Sequence, residues 1–480
     1  MIGLLLGRLE LSRESGEALT RQLTNQLRAL ITGGRLRPGQ SLPSSRTLAR
    51  SLNVSRNTVS FAIEQLTAEG YLSTSQGRRP VVVAGASLVS GKAPSRRAEN
   101  RGIEGLVSGW ARNLHHTGWP PIYRARPRAF QPGFADEREF PHDTWGRCSR
   151  RAASSALLRP DRSHNYPALQ EALLQHLAEH RGIKAMPHQI IVMPSAQAGI
   201  ALIAKVMIDA GDTAWIESPG YGGAFAALQA VGATVAGVPV DDAGMTIVDR
   251  KDLPRIIFIT PSHQYPTGHL MPVGRRLELL RFAETAGASI IEDDYDGEFH
   301  YEARPVAALQ GLTHYERVFY LGTFSKSMFA DIRVGYVIAP EDLVRTFEFA
   351  QRHLGLVVTI TMQAALAEFI GSGAYVAHVR RMTRLYRARR DRLLQALAAE
   401  VGDRLAIDVP AGGMQLLARC RTSTNDRALC ARLLDAGVIT RPLSSMTFHN
   451  TRERGLFLGF AAWNEAEIDA AARVISRNVR

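Results

Sequence analysis

From Leu19 the apolar residues Leu19, Leu23, Leu27, Leu30 and Ile31 return at helical spacing, and Gly33-Gly34 closes that helix. Arg37-Pro38-Gly39 reads as a turn. A second helix is predicted from Ser44, with Leu48, Ala49 and Leu52 facing inward. Asn53-Val54 then turns tightly to Ser55, an N-cap for a third helix running from Arg56 to about Glu69, striped by Val59, Ile63 and Leu66. Gly70-Tyr71-Leu72 leads into a hairpin with Ser75 to Arg79 at its tip and Val81-Val82-Val83 returning. Three helices and a two-stranded wing are therefore expected.

Periodicity fades between about Ala84 and Arg128, where Gly, Ser, Pro and basic residues mix, and only Ile103 to Leu114 suggests a short helix. These residues read as a tether. From about Phe130 short apolar runs alternate with longer amphipathic stretches. The runs are Gln189 to Met193, Thr213 to Ile216, Arg255 to Thr260, Ser289 to Asp293 and Val318 to Gly322. Buried parallel strands separated by helices give this pattern, so the class is α/β with a mostly parallel sheet. The expected division is a head over 1–84, a linker over 85–128 and a large domain over 129–480.

Charge sharpens the first of these regions. No acidic residue falls between Glu17 and Glu64, while arginines stand at 21, 28, 35, 37, 46, 50 and 56. The whole chain of 480 residues carries a formal charge of +13, almost all of it arginine; lysine occurs only at 92, 184, 205, 251 and 326. An arginine bias of this kind can reflect genome composition, so the position of the charge matters more than its sum. Arg56, Asn57 and Thr58 form the exposed first turn of the third helix, the part a recognition helix presents to a major groove.

Cysteine usage and hydropathy narrow the setting. The scattered Cys148, Cys420 and Cys430 make neither a disulfide framework nor a closed zinc site. The histidines show no metal-ligand spacing, so no metal is expected. No run of about 20 apolar residues could span a bilayer. Met1 to Glu10 lacks the basic start and the cleavage site of a signal peptide. A cytoplasmic protein without membrane contact is expected.

Ligands of parallel sheets bind beyond the carboxyl ends of the strands, and the unusual polar residues of the large domain sit there. Lys326 follows a strand in Gly322-Thr-Phe-Ser-Lys-Ser; a buried lysine has a depressed pKa and can form a Schiff base. Arg333 could fork onto a phosphate, with the Thr323 and Ser325 hydroxyls near it. Ile291-Glu-Asp-Asp-Tyr ends a second strand in carboxylates. Met193 to Ile200 joins a third strand to a helix N-terminus suited to an anion. Glu217-Ser-Pro-Gly-Tyr puts an aromatic ring at a fourth. Singly, an Asp pair is usually a cap and a strand-end tyrosine is usually packing. Four strand ends carrying complementary pieces of one site are harder to dismiss.

The segment Leu42 to Ser60 resembles the GntR group of winged-helix regulators almost residue by residue. That resemblance implies DNA contacts from Ser44, Arg46, Ser55, Arg56, Asn57 and Thr58, with Gly77 and Arg78 at the wing. The large domain resembles fold-type I aminotransferases, and the fusion resembles the MocR/GabR regulators. Phe130 to Asp136, Phe140-Pro, Trp145, Thr260 to Gly268, Glu292 to Asp296 and, most specifically, Gly322 to Lys326 carry it.

The resemblance implies pyridoxal 5′-phosphate, with Lys326 as the Schiff-base lysine and Asp293 as partner of the pyridine nitrogen. Tyr295 would bond the ring hydroxyl and Tyr221 would stack. Arg333, Ala196, Gln197, Thr323 and Ser325 would hold the phosphate, and His263 falls in the same pocket by motif position. It also implies a homodimer with exchanged heads that reads double-stranded DNA half-sites.

Several positions depart from the family. Tyr265 stands where aminotransferases place an asparagine before Pro-Thr-Gly. The residues after Lys326 lack the proline often found in these regulators. Phe457 occupies the position of the arginine that takes an amino-acid carboxylate, and Gly223 that of a second arginine. Arg441, Arg452 or Arg454 could then hold the effector instead. The expected function is a cofactor-dependent transcription regulator sensing a small amine, an amino-acid-like effector or the cofactor itself. The alternative is an active aminotransferase with an autoregulatory DNA-binding domain. Both need the cofactor residues; the missing carboxylate arginine favours sensing over turnover.

Overall fold

The computed structural model describes residues 9–75, 78–84, 108–113, 128–155, 164–247, 252–302, 307–312, 315–421, 424–448 and 453–479. Gly77, Arg452 and most of the expected linker lie outside these residues. Two compact units divide the chain, Met1–Val107 and Ser108–Arg480. No helix among the described residues is long and apolar enough to cross a membrane.

In the first unit three helices, α1 (Leu19–Thr32), α2 (Ser45–Ser51) and α3 (Arg56–Ala68), precede a short antiparallel pair, β1 (Leu72–Ser73) with β2 (Val81–Val82). Ser44 caps the second helix rather than starting it: its Oγ accepts from Thr47 N at 3.2 Å. Ser55 caps the third in the same way, accepting from Thr58 N at 3.1 Å. Each cap satisfies an N–H that the helix itself leaves open. Leu23, Leu27, Leu48, Val59, Ile63 and Leu66 close one core. Leu52 is only half-buried at its edge.

The second unit is built on an eight-stranded sheet in the order β3 (Ile190–Met193), β10 (Gly335–Ile338), β9 (Val318–Thr323), β8 (Ser289–Asp293), β7 (Ile256–Ile259), β4 (Thr213–Ser218), β5 (Thr234–Asp241), β6 (Gly244–Met245). From β9 to β5 neighbouring strands are parallel. The sheet is thus mostly parallel, as its apolar runs imply. The strand β10, absent from the sequence reading, runs antiparallel between β9 and β3. That reversal brings Arg333, just before β10, to the edge where β9 ends at Thr323; Gly335 pairs with both Thr323 and Met193.

A smaller antiparallel sheet follows: β11 (Leu405–Ile407), β12 (Gln415–Cys420), β14 (Gly455–Gly459) and β13 (Arg441–Pro442), in that order. The long helix Ala374–Glu400 and the helix Glu465–Asn478 cover it. Of the tether, the described part includes a short helix, Gly109–Asn113, inside the expected span; Trp110 Nε1 donates to Ala226 O at 3.1 Å.

Candidate functional site

A cavity of about 240 Å³ opens beyond the carboxyl ends of the parallel strands. Lys326, Asp293, Tyr295, Arg333, Tyr221, Ala196, Gln197, Thr323 and Ser325 all line it, and so does Arg441. Strand ends bring them together: Asp293 ends β8, Thr323 ends β9, and Ala196 and Gln197 open the helix α4 (Ala196–Met207) after β3.

One end is made for an anion. Ser195 caps α4 by accepting from Ala198 N at 3.1 Å. Its first residues, Ala196 and Gln197, line the cavity together with Thr323, Ser325 and Arg333, and the first-turn N–H groups of a helix suit an anion. Arg333 holds a left-handed backbone, φ 50°. A Cβ on Gly335 would lie 2.7 Å from Ala196 N, so only glycine lets β10 pass this close to the helix start.

The floor shows a contrast among four acidic residues in five positions. Glu292 accepts from Leu309 N at 2.9 Å and lies 3.7 Å from Arg276. Asp294 meets Arg181 at 2.7 Å and takes a hydrogen bond from Tyr320 at 2.5 Å. Asp296 pairs with His263 Nδ1 at 2.8 Å and accepts from Met414 N at 3.2 Å. Asp293 is different. Its Oδ1 is buried with no hydrogen-bond partner, as is that of Asp294, but Asp294 is held through its Oδ2, whereas no side chain or backbone N–H among the described residues binds the Asp293 carboxyl. Burial, then the carboxylates of Asp294 and Asp296, push its pKa up to about 8. Asp294, buried as deeply, is held below the usual carboxylate range: burial pushes it up, but the Arg181 charge together with the hydrogen bonds from Ser262 and Tyr320 outweighs that.

Lys326 lies half-buried at the wall, its Nζ donating to Gly133 O at 2.6 Å. Burial, followed by the nearby Arg441 charge, brings its pKa down to about 8. Tyr221 flanks the cavity with its hydroxyl pKa raised, by burial and then by the Asp293 charge. The smaller sheet closes the far side. Arg441 and Phe457 are cross-strand partners of β13 and β14. Phe457 is buried and packs on Tyr265 with ring centroids 5.0 Å apart, while Arg441 Nη1 donates to the Tyr265 hydroxyl at 2.8 Å. Gly223 lines the cavity, and its carbonyl accepts from Gln197 Nε2 at 2.9 Å.

Two sequence candidates stand elsewhere. His263 is not among the lining residues; it is bound to Asp296, and a Cβ on Gly412 would come within 2.2 Å of its Nε2. It ties the large sheet to the loop entering β12. Arg454, half-buried, donates to Glu453 O at 2.7 Å and does not reach the cavity. Conversely, Gln415, Met446, Gly133 and Thr260 line the wall without having been singled out. Thr260 lies inside the Thr260–Gly268 motif and Gly133 inside Phe130–Asp136. Gln415, whose buried Oε1 has no hydrogen-bond partner, had no local signal at all.

In the first unit Ser44, Arg46, Ser55, Arg56, Asn57 and Arg78 are exposed, and Thr58 is half-buried. All of these but Arg78 lie on or just before the starts of α2 and α3.

Residues 136–475 match the family described as aminotransferase class I and II, and residues 19–82 match the gntR family of bacterial regulatory proteins. The chain is 36% identical over 458 residues to the probable rhizopine catabolism regulatory protein MocR of Rhizobium meliloti, covering 94% of this chain and 92% of that protein. It is 33% identical to the HTH-type transcriptional regulator TauR of Rhodobacter capsulatus, over 95% and 96% of the two chains. The HTH-type pyridoxine biosynthesis transcriptional regulator PdxR of Corynebacterium glutamicum is 34% identical over 77% of this chain and 76% of its own. Among solved structures, kynurenine aminotransferase of Pyrococcus horikoshii superposes with a TM-score of 0.70 at 22% identity, covering 80% of this chain and 98% of that one.

Proposed function

Because the chain belongs to the MocR/GabR-type regulators, in which a gntR-family head is joined to a class I and II aminotransferase domain, we propose that it is a DNA-binding transcription regulator whose larger unit holds pyridoxal 5′-phosphate and senses a small anionic amine there. The observation that carries this reading is Asp293. It is the one acidic side chain of its segment left without a partner, and it faces the same cavity as a lysine and an anion cradle.

The donor set fits the cofactor. Ala196, Gln197, Thr323, Ser325 and Arg333 would hold the phosphate, Tyr221 would stack on the ring, and Tyr295 would bond the ring hydroxyl. A protonated ring nitrogen at Asp293 Oδ1 would pull that carboxyl down into its ionised form, since an opposite charge favours the charged state. When bound, the cofactor supplies an electron-withdrawing ring and an aldehyde carbon open to amines. Lys326, with its pKa brought down to about 8, offers a neutral fraction at physiological pH far larger than that of an ordinary lysine to engage that carbon.

Arg441 is the cation in the wall best placed to take an effector's carboxylate, standing in for the arginine absent at Phe457. An effector amine would displace Lys326 while Arg441 fixes the other end. A ligand acts on DNA binding only through its preference between two states of the protein. We take the head to span 1–84, the tether 85–128 and the effector domain 129–480. The assembly is a homodimer with exchanged heads, whose two-fold axis matches paired half-sites.

The test is an absorbance titration of purified protein with pyridoxal phosphate, then with candidate amines, alongside Lys326→Ala. The wild type gains a visible band that the variant lacks, and an amine that shifts the band also changes operator affinity. No band in the wild type at saturating cofactor would refute the cofactor assignment.

A further inference from the structure

On α3 the buried residues Val59, Ala62, Ile63 and Leu66 face the core of the head. The opposite side carries Asn57 and, one turn on, Phe61. At about 3.6 residues per turn, residues four apart share a face. Phe61 is 61% exposed, the one large apolar side chain so exposed among the described residues of the head. A single exposed apolar residue is ordinary on a protein surface. Its place is what matters here: it continues the line of Asn57 on the helix whose start, flanked by exposed Arg46, Arg50 and Arg56, faces the groove in the DNA-reading assignment above.

We propose that Phe61 is a base-reading residue that packs against the 5-methyl group of a thymine in the major groove, next to an adenine read by Asn57. The major-groove edge of thymine is the only one that offers a methyl, and phenylalanine is among the side chains suited to meet it. Asparagine complements the adenine edge with two hydrogen bonds. Four residues along a helix advance about 6 Å, and stacked base pairs are about 3.4 Å apart. The thymine therefore lies within about two base pairs of the adenine that Asn57 reads. The charge toward the start of the helix argues for nucleic acid over a protein surface: no acidic residue occurs between Glu17 and Glu64, arginines stand exposed at 46, 50 and 56, and the exposed Glu64 lies one turn beyond Phe61, farther from the helix start. This inference rests on the head being a sequence reader, which the experiment tests separately.

Duplexes bound by the full-length protein are selected from a randomised pool. Each thymine is then replaced in turn by deoxyuridine, which removes only the methyl. Affinities are measured for wild type, Phe61→Ala, Phe61→Leu and Asn57→Ala. One thymine per half-site costs the wild type about fourfold on loss of its methyl, the value of one buried carbon. That penalty vanishes in Phe61→Ala and persists in part in Phe61→Leu, while the dependence of affinity on salt stays unchanged in both. The adenine lost to Asn57→Ala lies within two base pairs of it. A wild type indifferent to every deoxyuridine overturns the proposal, as does a penalty that survives Phe61→Ala. If the pool yields no preferred sequence, the DNA-reading assignment falls together with this one.

Discussion

The two units put charge to opposite uses. On the head, Arg46, Arg50 and Arg56 stand exposed on the first turns and ends of short helices. In the larger unit, Arg181, Asp294 and the cavity-lining Asp293 are buried, and whether each has a partner decides its state. Exposed charges attract a polyanion at little cost to folding, and salt screens them. Buried charges are screened far less; each must be paired, or it shifts its pKa and waits for a ligand. The lesson is that the missing partner of Asp293 has a meaning that the missing partner of Arg56 does not.

The largest expected effect tests the buried side of this contrast. Arg181→Met leaves Asp294 unpaired in the interior and should cost about 3–5 kcal/mol, seen as a lower urea midpoint for the large unit. Arg46→Ala should move stability by no more than about 0.5 kcal/mol. Equal costs would erase the distinction. Next, Asp293→Asn should weaken pyridoxal phosphate binding by about 2 kcal/mol, roughly thirtyfold, in an absorbance titration, with little change in folding. Arg441→Gln should raise the effector concentration needed to change DNA binding about tenfold, and leave cofactor affinity close to wild type.

Two smaller effects sharpen the comparison. Arg56→Ala should reduce the slope of log affinity against log salt by about one, while Asp293→Asn leaves that slope alone. The rate of cofactor capture should climb as pH rises through about 8, where Lys326 loses its proton. Its pKa is depressed, so the reactive neutral amine gains with pH. Removing the Arg441 charge lets that pKa rise, so Arg441→Gln should move the midpoint of the rate profile upward. A midpoint that moves down would contradict the placing of Arg441 beside the lysine.

Legibility from sequence also differed between the units. The head is local: cap, turn and stripe lie within the 14 residues from Asn53 to Leu66, so the Ser55 cap and the Val59–Leu66 stripe could be read in place, while Ser44 was placed one residue inside the helix it caps. In the large unit the apolar runs betrayed five strands of the eight-stranded sheet because they are buried on both faces, and none of the smaller sheet. The strand Gly335–Ile338 escaped, being a short run whose antiparallel pairing depends on strands far away in the chain. The floor and the anion end of the site could be read because motifs there are contiguous. The far wall could not. Gln415 comes from a strand in the smaller sheet, and nothing near it in sequence points to a cavity. His263 shows the reverse failure: it belongs to a cavity motif, yet its ring turns to Asp296 and the loop before Gln415.

The pairing of Arg441 with Phe457 carries a wider consequence. Directly opposed residues on neighbouring strands have Cβ atoms about 4.5–5.5 Å apart, less than the reach of an arginine. A guanidinium can therefore be handed from one strand to the next while its positive end still serves the same spot. If Arg441 takes the effector's carboxylate as proposed, a chain that looks, position by position, as though it has lost its anchor has in space only changed the address from which the anchor is sent. Exchanging the two residues, as Arg441→Phe with Phe457→Arg, is thus a relocation of one function rather than two separate injuries.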